Sequence, residues 1–195
     1  MRTSKIERNT LETKILVDLN LDGNGQSQID TGIGFFDHML TLLAFHGNFD
    51  LKVKCDGDLE VDGHHTIEDL GIALGLAFKE ALGDKRGIKR YGAFTICMDE
   101  ALVTTNLDIS NRPFLVFNVN LTCERIGTFE TELAVEFFRA FAFNGGITLH
   151  INEHYGENNH HIVEAVFKSL GRALKKAVSI DEKNKDKVIS SKGVL

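Results

Sequence analysis

The sequence predicts an α/β (α+β) protein made of two duplicated sheet-and-helix halves packed as one compact unit. Three observations predict it. First, sliding the chain by 96 residues places His64-His65 on His160-His161. The same shift aligns Glu68 with Glu164, Leu74 with Leu170, Gly75 with Gly171, Ala77 with Ala173, Lys79 with Lys175 and Ala81 with Ala177. Chance supplies one such match readily, but not a whole series in register. Second, apolar residues at spacings of three and four mark helices, most clearly over 131–143 and 160–178. Third, short β-rich runs of ordinary strand length lie between the helical stretches.

In chain order, the expected elements are a strand over 14–21, a helix over 34–44, a strand over 49–55 and a helix over 65–82. Strands follow over 91–98, 101–109 and 114–121, then a helix over 131–143, a strand over 148–153 and a helix over 160–178. Phe35-Phe36 and Phe137-Phe138 each open an apolar, helix-like stretch, so each half should hold an earlier helix as well as the one after the histidine doublet. The only proline is Pro113, and no low-complexity linker interrupts the middle of the chain. The expectation is therefore a single domain, with halves at about 1–90 and 91–180 and a tail at 181–195.

Composition narrows the function classes. With 43% hydrophobic and 26% charged residues, 195 residues suffice for a packed core. A net charge of −6 disfavours nucleic acid and acidic membranes, so anionic ligands require a local basic cluster. No apolar run is long enough to cross a bilayer, and the polar segment 1–14 has no leader-like core. Cys55, Cys97 and Cys123 are odd in number and lack Cys-x-x-Cys spacing, which fits a reducing cytoplasm better than a disulfide framework.

The doublets carry the chemistry. Residues four apart on a helix share a face, so His64 with Glu68, and His160 with Glu164, can each chelate one cation. Adjacent residues diverge by about 100° around the axis, so a doublet naturally serves two different ions. Each ion would then receive a His-Glu pair from one helix and the neighbouring histidine of the other. His38, His46, His150 and His154 are further imidazoles, and a lone histidine of this kind is more often a surface or capping residue. The order His-His-x-x-Glu differs from the His-Glu-x-x-His of zinc proteases. Imidazole and carboxylate donors without thiolate admit manganese, iron, zinc, cobalt or nickel.

These motifs, together with Arg8-Asn9-Thr10-Leu11-Glu12-Thr13, Gly34-Phe35-Phe36-Asp37-His38-Met39-Leu40, Met98-Asp99-Glu100-Ala101-Leu102 and Asn158-Asn159-His160-His161-Ile162-Val163-Glu164-Ala165, give a chain that resembles the imidazoleglycerol-phosphate dehydratases of histidine biosynthesis over nearly its whole length. It departs from the family pattern at Gly63, where an acidic residue is common, at Cys97, where proline is common, and at Asn111, where glycine is common. The resemblance implies two Mn2+ ions per active site, one held by His38, His65, His160 and Glu164 and the other by His64, Glu68, His150 and His161. It also implies a homo-oligomer, commonly a 24-mer, with sites at subunit interfaces.

The implied reaction converts D-erythro-imidazole-glycerol phosphate to imidazole-acetol phosphate and water. No carbonyl activates the carbon that loses its proton, so the imidazole ring must act as electron sink, through an imidazolate and a diazafulvene-like intermediate stabilised by two metals. Proton transfer needs a carboxylate or imidazole near the side chain, for which Glu12 is the first candidate and His46 the second. Asp99 and Glu100 are further supporting carboxylates in this reading, but turn or helix-start roles explain them nearly as well, and no catalytic role is assigned to them. Arg90, Arg112 and Lys192, with Ser190 and Ser191, match the family's phosphate contacts, although the tail alone would read as disordered. Substrate also touches His38, His46, His64, His65, Glu68, His160 and Glu164 in this reading. Two other functions fit the doublets themselves: a two-metal hydrolase with a bridging water, and a metal-stabilised assembly protein without catalysis.

Overall fold

A computed structural model describes residues 1–195. The first half comprises β1 (Thr3–Asn9), β2 (Thr13–Asn20), β3 (Ser27–Asp30), α1 (Gly34–Gly47), β4 (Asp50–Gly57) and α2 (His64–Leu82). The second comprises β5 (Tyr91–Met98), β6 (Ala101–Asp108), β7 (Phe114–Asn118), the short hairpin β8 (Arg125–Ile126) and β9 (Phe129–Glu130), α3 (Leu133–Gly145), β10 (Thr148–Tyr155) and α4 (Asn159–Val178). The sheets have the orders β1-β2-β4-β3 and β5-β6-β10-β7. In each, the second strand runs antiparallel to both neighbours, and the third pairs in parallel with the strand that follows the first helix. The duplication therefore extends to topology, and only the β8–β9 hairpin has no counterpart.

Alternation sets the sheet faces. Along β2, Thr13, Ile15, Val17 and Leu19 are buried while the residues between them are not, so one face meets the helices. The helices cross between halves: α2 packs on α3, and α4 on α1. One contiguous core of 45 buried residues draws on both halves, with Phe36, Phe78, Phe137, Phe141 and Phe167 fully buried in it.

The repeated glycine pair has a steric explanation. A Cβ at Gly75 would sit 2.7 Å from the Phe141 carbonyl oxygen, and one at Gly171 would sit 2.8 Å from that of Leu43. The two crossings are thus equivalent, with Phe141 in the place of Leu43. By that match Phe35-Phe36 corresponds to Leu133-Ala134, so Phe137-Phe138 lies one turn farther along its helix than the doublets suggest. Gly171→Ala gains about 1 kcal/mol of helix propensity but forces the crossing apart, at about 1–3 kcal/mol. We expect a net loss of stability on urea unfolding, whereas Gly34→Ala, with nothing within 4 Å of its added Cβ, should lose none.

Sequence reading missed two sheet strands, β1 and β3, and the hairpin. Edge strand β1 buries only Ser4 and half-buries Ile6 among charged neighbours, so its apolar signal is weak. Strand β3 has four residues, none buried. Other boundaries shift by a few residues. No helix is long and apolar enough to cross a membrane, and all three cysteines are free.

Candidate active site

Both doublets stand at the first turn of their helices. Asp62 Oδ1 accepts the His64 backbone N–H at 2.7 Å, and Asn158, the N-cap of α4, accepts that of His160 at 2.9 Å. Positions 64 and 68 then fall on one face, with His64 Nδ1 3.6 Å from Glu68 Oε2, and likewise His160 Nε2 lies 3.2 Å from Glu164 Oε2. His38, on the first turns of α1, brings Nε2 to 3.5 Å from the same Glu164 oxygen because α1 packs along α4. His38, His160 and Glu164 are the one group of three or more such donors whose ligand atoms all lie within 4.8 Å.

Burial works to raise the Glu164 carboxyl, but Lys168, followed by His160 and His38, outweighs it and holds the group below the usual range. Lys168 Nζ lies 2.5 Å from Glu164 Oε1. Sequence reasoning passed over Lys168, though its spacing of four from Glu164 put both on one face.

His65 is not part of that cluster. Its Nδ1 lies 3.0 Å from Asp58 Oδ2, and its Nε2 lies 3.8 Å from Glu12 Oε1. His161 places Nδ1 2.7 Å from Glu100 Oε2 and Nε2 3.8 Å from Asp99 Oδ2. The bond to Asp58 raises the His65 pKa, and that to Glu100 raises the His161 pKa. Glu100 is held down to about 2, first by the Asn158 backbone N–H and then by His161.

Within one chain the two ligand sets expected from the resemblance are therefore only partly gathered. The first has three of its four members together and lacks His65; the second has only the His64–Glu68 pair. The cause is packing: α2 lies on α3 and α4 on α1, so the two doublets do not face each other. The expectation that each helix lends a histidine to the other is not realised inside a single chain.

Glu12 sits on the β1–β2 turn, where Thr10 Oγ1 accepts the backbone N–H groups of Glu12 and Thr13 at 3.1 and 2.9 Å. Buried Asp69 of α2 accepts from Thr13 Oγ1 at 2.6 Å and from Arg8 Nη1 at 2.5 Å, tying this turn to the helix that carries His65. His46 lies eight residues from His38 along α1, about 12 Å. Burial, then the charges of Lys168 and Arg172, lowers its pKa. His154 Nε2 is 2.7 Å from Thr104 Oγ1, an exposed contact away from the donor cluster.

The basic residues gather on Asp108. Arg90 donates to its two oxygens at 2.6 and 3.0 Å, and Arg112 Nη2 approaches at 3.5 Å. Arg90 Nη1 also donates to the Ile189 carbonyl at 2.7 Å. The tail is pinned by Gly87 N–H to Lys187 O at 2.9 Å and Asp181 N–H to Gly87 O at 2.7 Å, which sets Ser190, Ser191 and Lys192 just beyond Arg90. Asp108 also lines a cleft of about 430 Å³ that holds His150 farther along the same sheet. Asn111 has φ 58°, a left-handed conformation that glycine and asparagine both tolerate, so this departure from the family pattern keeps the backbone.

Fold and site together define a duplicated α+β protein that presents imidazole and carboxylate donors at helix N-termini, with a paired-arginine cluster at the opposite end of α4, where the Arg90 backbone N–H donates to the Ala177 carbonyl. The family model for imidazoleglycerol-phosphate dehydratase matches residues 31–174. The chain is 62% identical to the imidazoleglycerol-phosphate dehydratase of Lactococcus lactis subsp. cremoris (strain SK11), covering 100% of this chain and 98% of the relative. It is 58% identical to that of Clostridioides difficile, covering both in full. Crystal structures of the Staphylococcus aureus enzyme and of the Pyrococcus furiosus enzyme in complex with (S)-C348 superpose with a TM-score of 0.84 each. Their identities are 41% and 39%, over 92% and 97% of this chain and 99% and 100% of theirs. The chain belongs to the imidazoleglycerol-phosphate dehydratase family, whose members are hydro-lyases of histidine biosynthesis.

Proposed function

We propose that the chain dehydrates D-erythro-imidazole-glycerol phosphate to imidazole-acetol phosphate. The observation that carries this reading is the His38–His160–Glu164 cluster, a hard and borderline donor set without thiolate, in a chain of this family. The donor set fits Mn2+. His38, His65, His160 and Glu164 would hold one ion and His64, Glu68, His150 and His161 a second, with donors from neighbouring copies completing each set in a homo-oligomer, by resemblance a 24-mer. When bound, the ions supply Lewis acidity that lets the azole ring accept electron density.

The residues of the chain do the rest. Arg90 and Arg112, already gathered on Asp108, can take the phosphate as a charge-assisted pair, and Ser190, Ser191 and Lys192 close over it from the tail. The hydroxyl on the carbon next to the ring leaves as water, the balancing proton coming from a ring nitrogen, which gives a diazafulvene-like ring. Transfer of the adjacent C–H proton back to a ring nitrogen gives an enol that tautomerises to the ketone. Glu12, exposed and held by its turn beside His65, is the group proposed to move these protons. His46, two helical turns from His38, is a less direct choice. Three free cysteines suit a reducing cytoplasm, the compartment proposed here.

The test is incubation of Mn2+-loaded protein with imidazole-glycerol phosphate, following acetol phosphate formation; absence of turnover would overturn the reading. Lys192→Ala should raise KM about 10–100-fold, the worth of one charged hydrogen bond, with metal content unchanged. A fall in metal content would instead give Lys192 a structural role.

A further inference from the structure

The duplication places two carboxylates in equivalent positions. Glu12 immediately precedes β2 and Glu100 immediately precedes β6. The register confirms the match: Ile15, three residues after Glu12, pairs with Cys55, and Val103, three residues after Glu100, pairs with Glu153. Their surroundings nevertheless differ. Glu100 is fully engaged: Oε1 accepts the backbone N–H of Asn158 at 2.7 Å and of Glu157 at 3.2 Å, and Oε2 lies 2.7 Å from His161 Nδ1. Glu12 holds no side-chain hydrogen bond, and its closest approach to an imidazole, 3.8 Å to His65 Nε2, is too long to be one.

The partner of His65 Nδ1 comes from elsewhere. Asp58, the residue immediately after β4, lies 3.0 Å from it. The residue in the same place after β10 is Gly156, which has no side chain to offer. A Cβ there would fall 2.6 Å from Ile162, so the second half has no room for an aspartate.

From this we infer that Asp58 and Glu100 are positioning residues for the two shared histidines, and that Asp58, by taking over the holding of His65, frees Glu12 for chemistry. A carboxylate accepting from Nδ1–H fixes the ring's orientation and its tautomer, leaving Nε2 as the nitrogen with a free lone pair. The two halves do the same work with carboxylates from different elements, one before a strand and one after. The inference rests on the metal-dependent reading of these histidines given above.

The test compares Asp58→Asn, Glu100→Gln and Glu12→Gln as assembled proteins, by titrating each with Mn2+ and counting bound ions per chain. The Asp58 carboxylate hydrogen-bonds to His65 alone, so Asp58→Asn leaves the Asp62 bond to the His64 backbone in place. Glu100→Gln keeps a carbonyl oxygen for the Asn158 and Glu157 amides. We expect Asp58→Asn and Glu100→Gln each to weaken one of the two ions about 10–100-fold and to spare the other. Glu12→Gln should bind both ions as wild type does while losing turnover.

Unchanged ion affinity in Asp58→Asn and Glu100→Gln would overturn the inference while leaving the dehydratase reading intact. Loss of an ion in Glu12→Gln would overturn the proposed division of labour. Failure of the wild-type protein to bind Mn2+ would instead remove the reading on which both rest. If Glu100→Gln does not assemble, Asp58→Asn alone decides the matter.

Discussion

Stripping the protein of divalent cations with a chelator is expected to lower turnover of imidazole-glycerol phosphate about 10³-fold or more, and Mn2+ is expected to restore it. The magnitude follows from the reaction. In the proposed reaction the proton to be removed has no neighbouring carbonyl, so the ring would take up the electrons, and Lewis-acid stabilisation of that kind would be worth several kcal/mol. At about 1.4 kcal/mol per decade of rate, this gives at least three decades. The donors are prepared for such a cation: Glu164 is ionised despite burial, and His38 and His160 stand within reach of the same carboxylate oxygen. Chelator treatment that leaves turnover unchanged would contradict the metal assignment. The comparison requires that the stripped protein keep its assembly state, which size-exclusion chromatography reads.

Glu12→Gln is the second large effect. It should lower kcat by about 10²–10⁴, the usual contribution of a positioned acid–base group, with little change in KM. The substitution is nearly isosteric, and the turn that carries Glu12 is held by Thr10, Thr13, Arg8 and Asp69 rather than by the glutamate itself. Folding should therefore be unaffected. A KM effect with unchanged kcat would make Glu12 a binding residue and return the proton-transfer role to His46.

The duplicated architecture was legible because its strongest markers are also its tightest constraints. Gly75 and Gly171 match in the repeat because each lets a helix backbone pass close to another. Helix α2 and helix α4 were legible from the doublets and the apolar pattern behind them. Strand β1 was not, since a charged edge strand with one buried residue carries little hydrophobic signal.

The site was legible unevenly. His64 with Glu68, and His160 with Glu164, follow from helical spacing alone. His38 and His150 do not follow from the repeat: matching the helix crossings puts Glu136 in the place of His38, and matching β4 to β10 puts Lys52 in the place of His150. Both stand in the sequence as further imidazoles, and only the family resemblance assigned them as ligands. The roles of Asp58 and Glu100 depend on loop geometry between distant elements, which spacing cannot reveal. Asp108, which gathers Arg90 and Arg112, escaped for the same reason.

In the proposed function the two doublets serve two cations per chain. Its most direct measurement is the number of Mn2+ ions bound per chain in the assembled protein at saturation, by elemental analysis after gel filtration. Two are expected, falling to one in His65→Ala and to one in His161→Ala with assembly retained. A saturating value of one in the wild-type protein, or loss of both ions from either variant while the assembly persists, would contradict it.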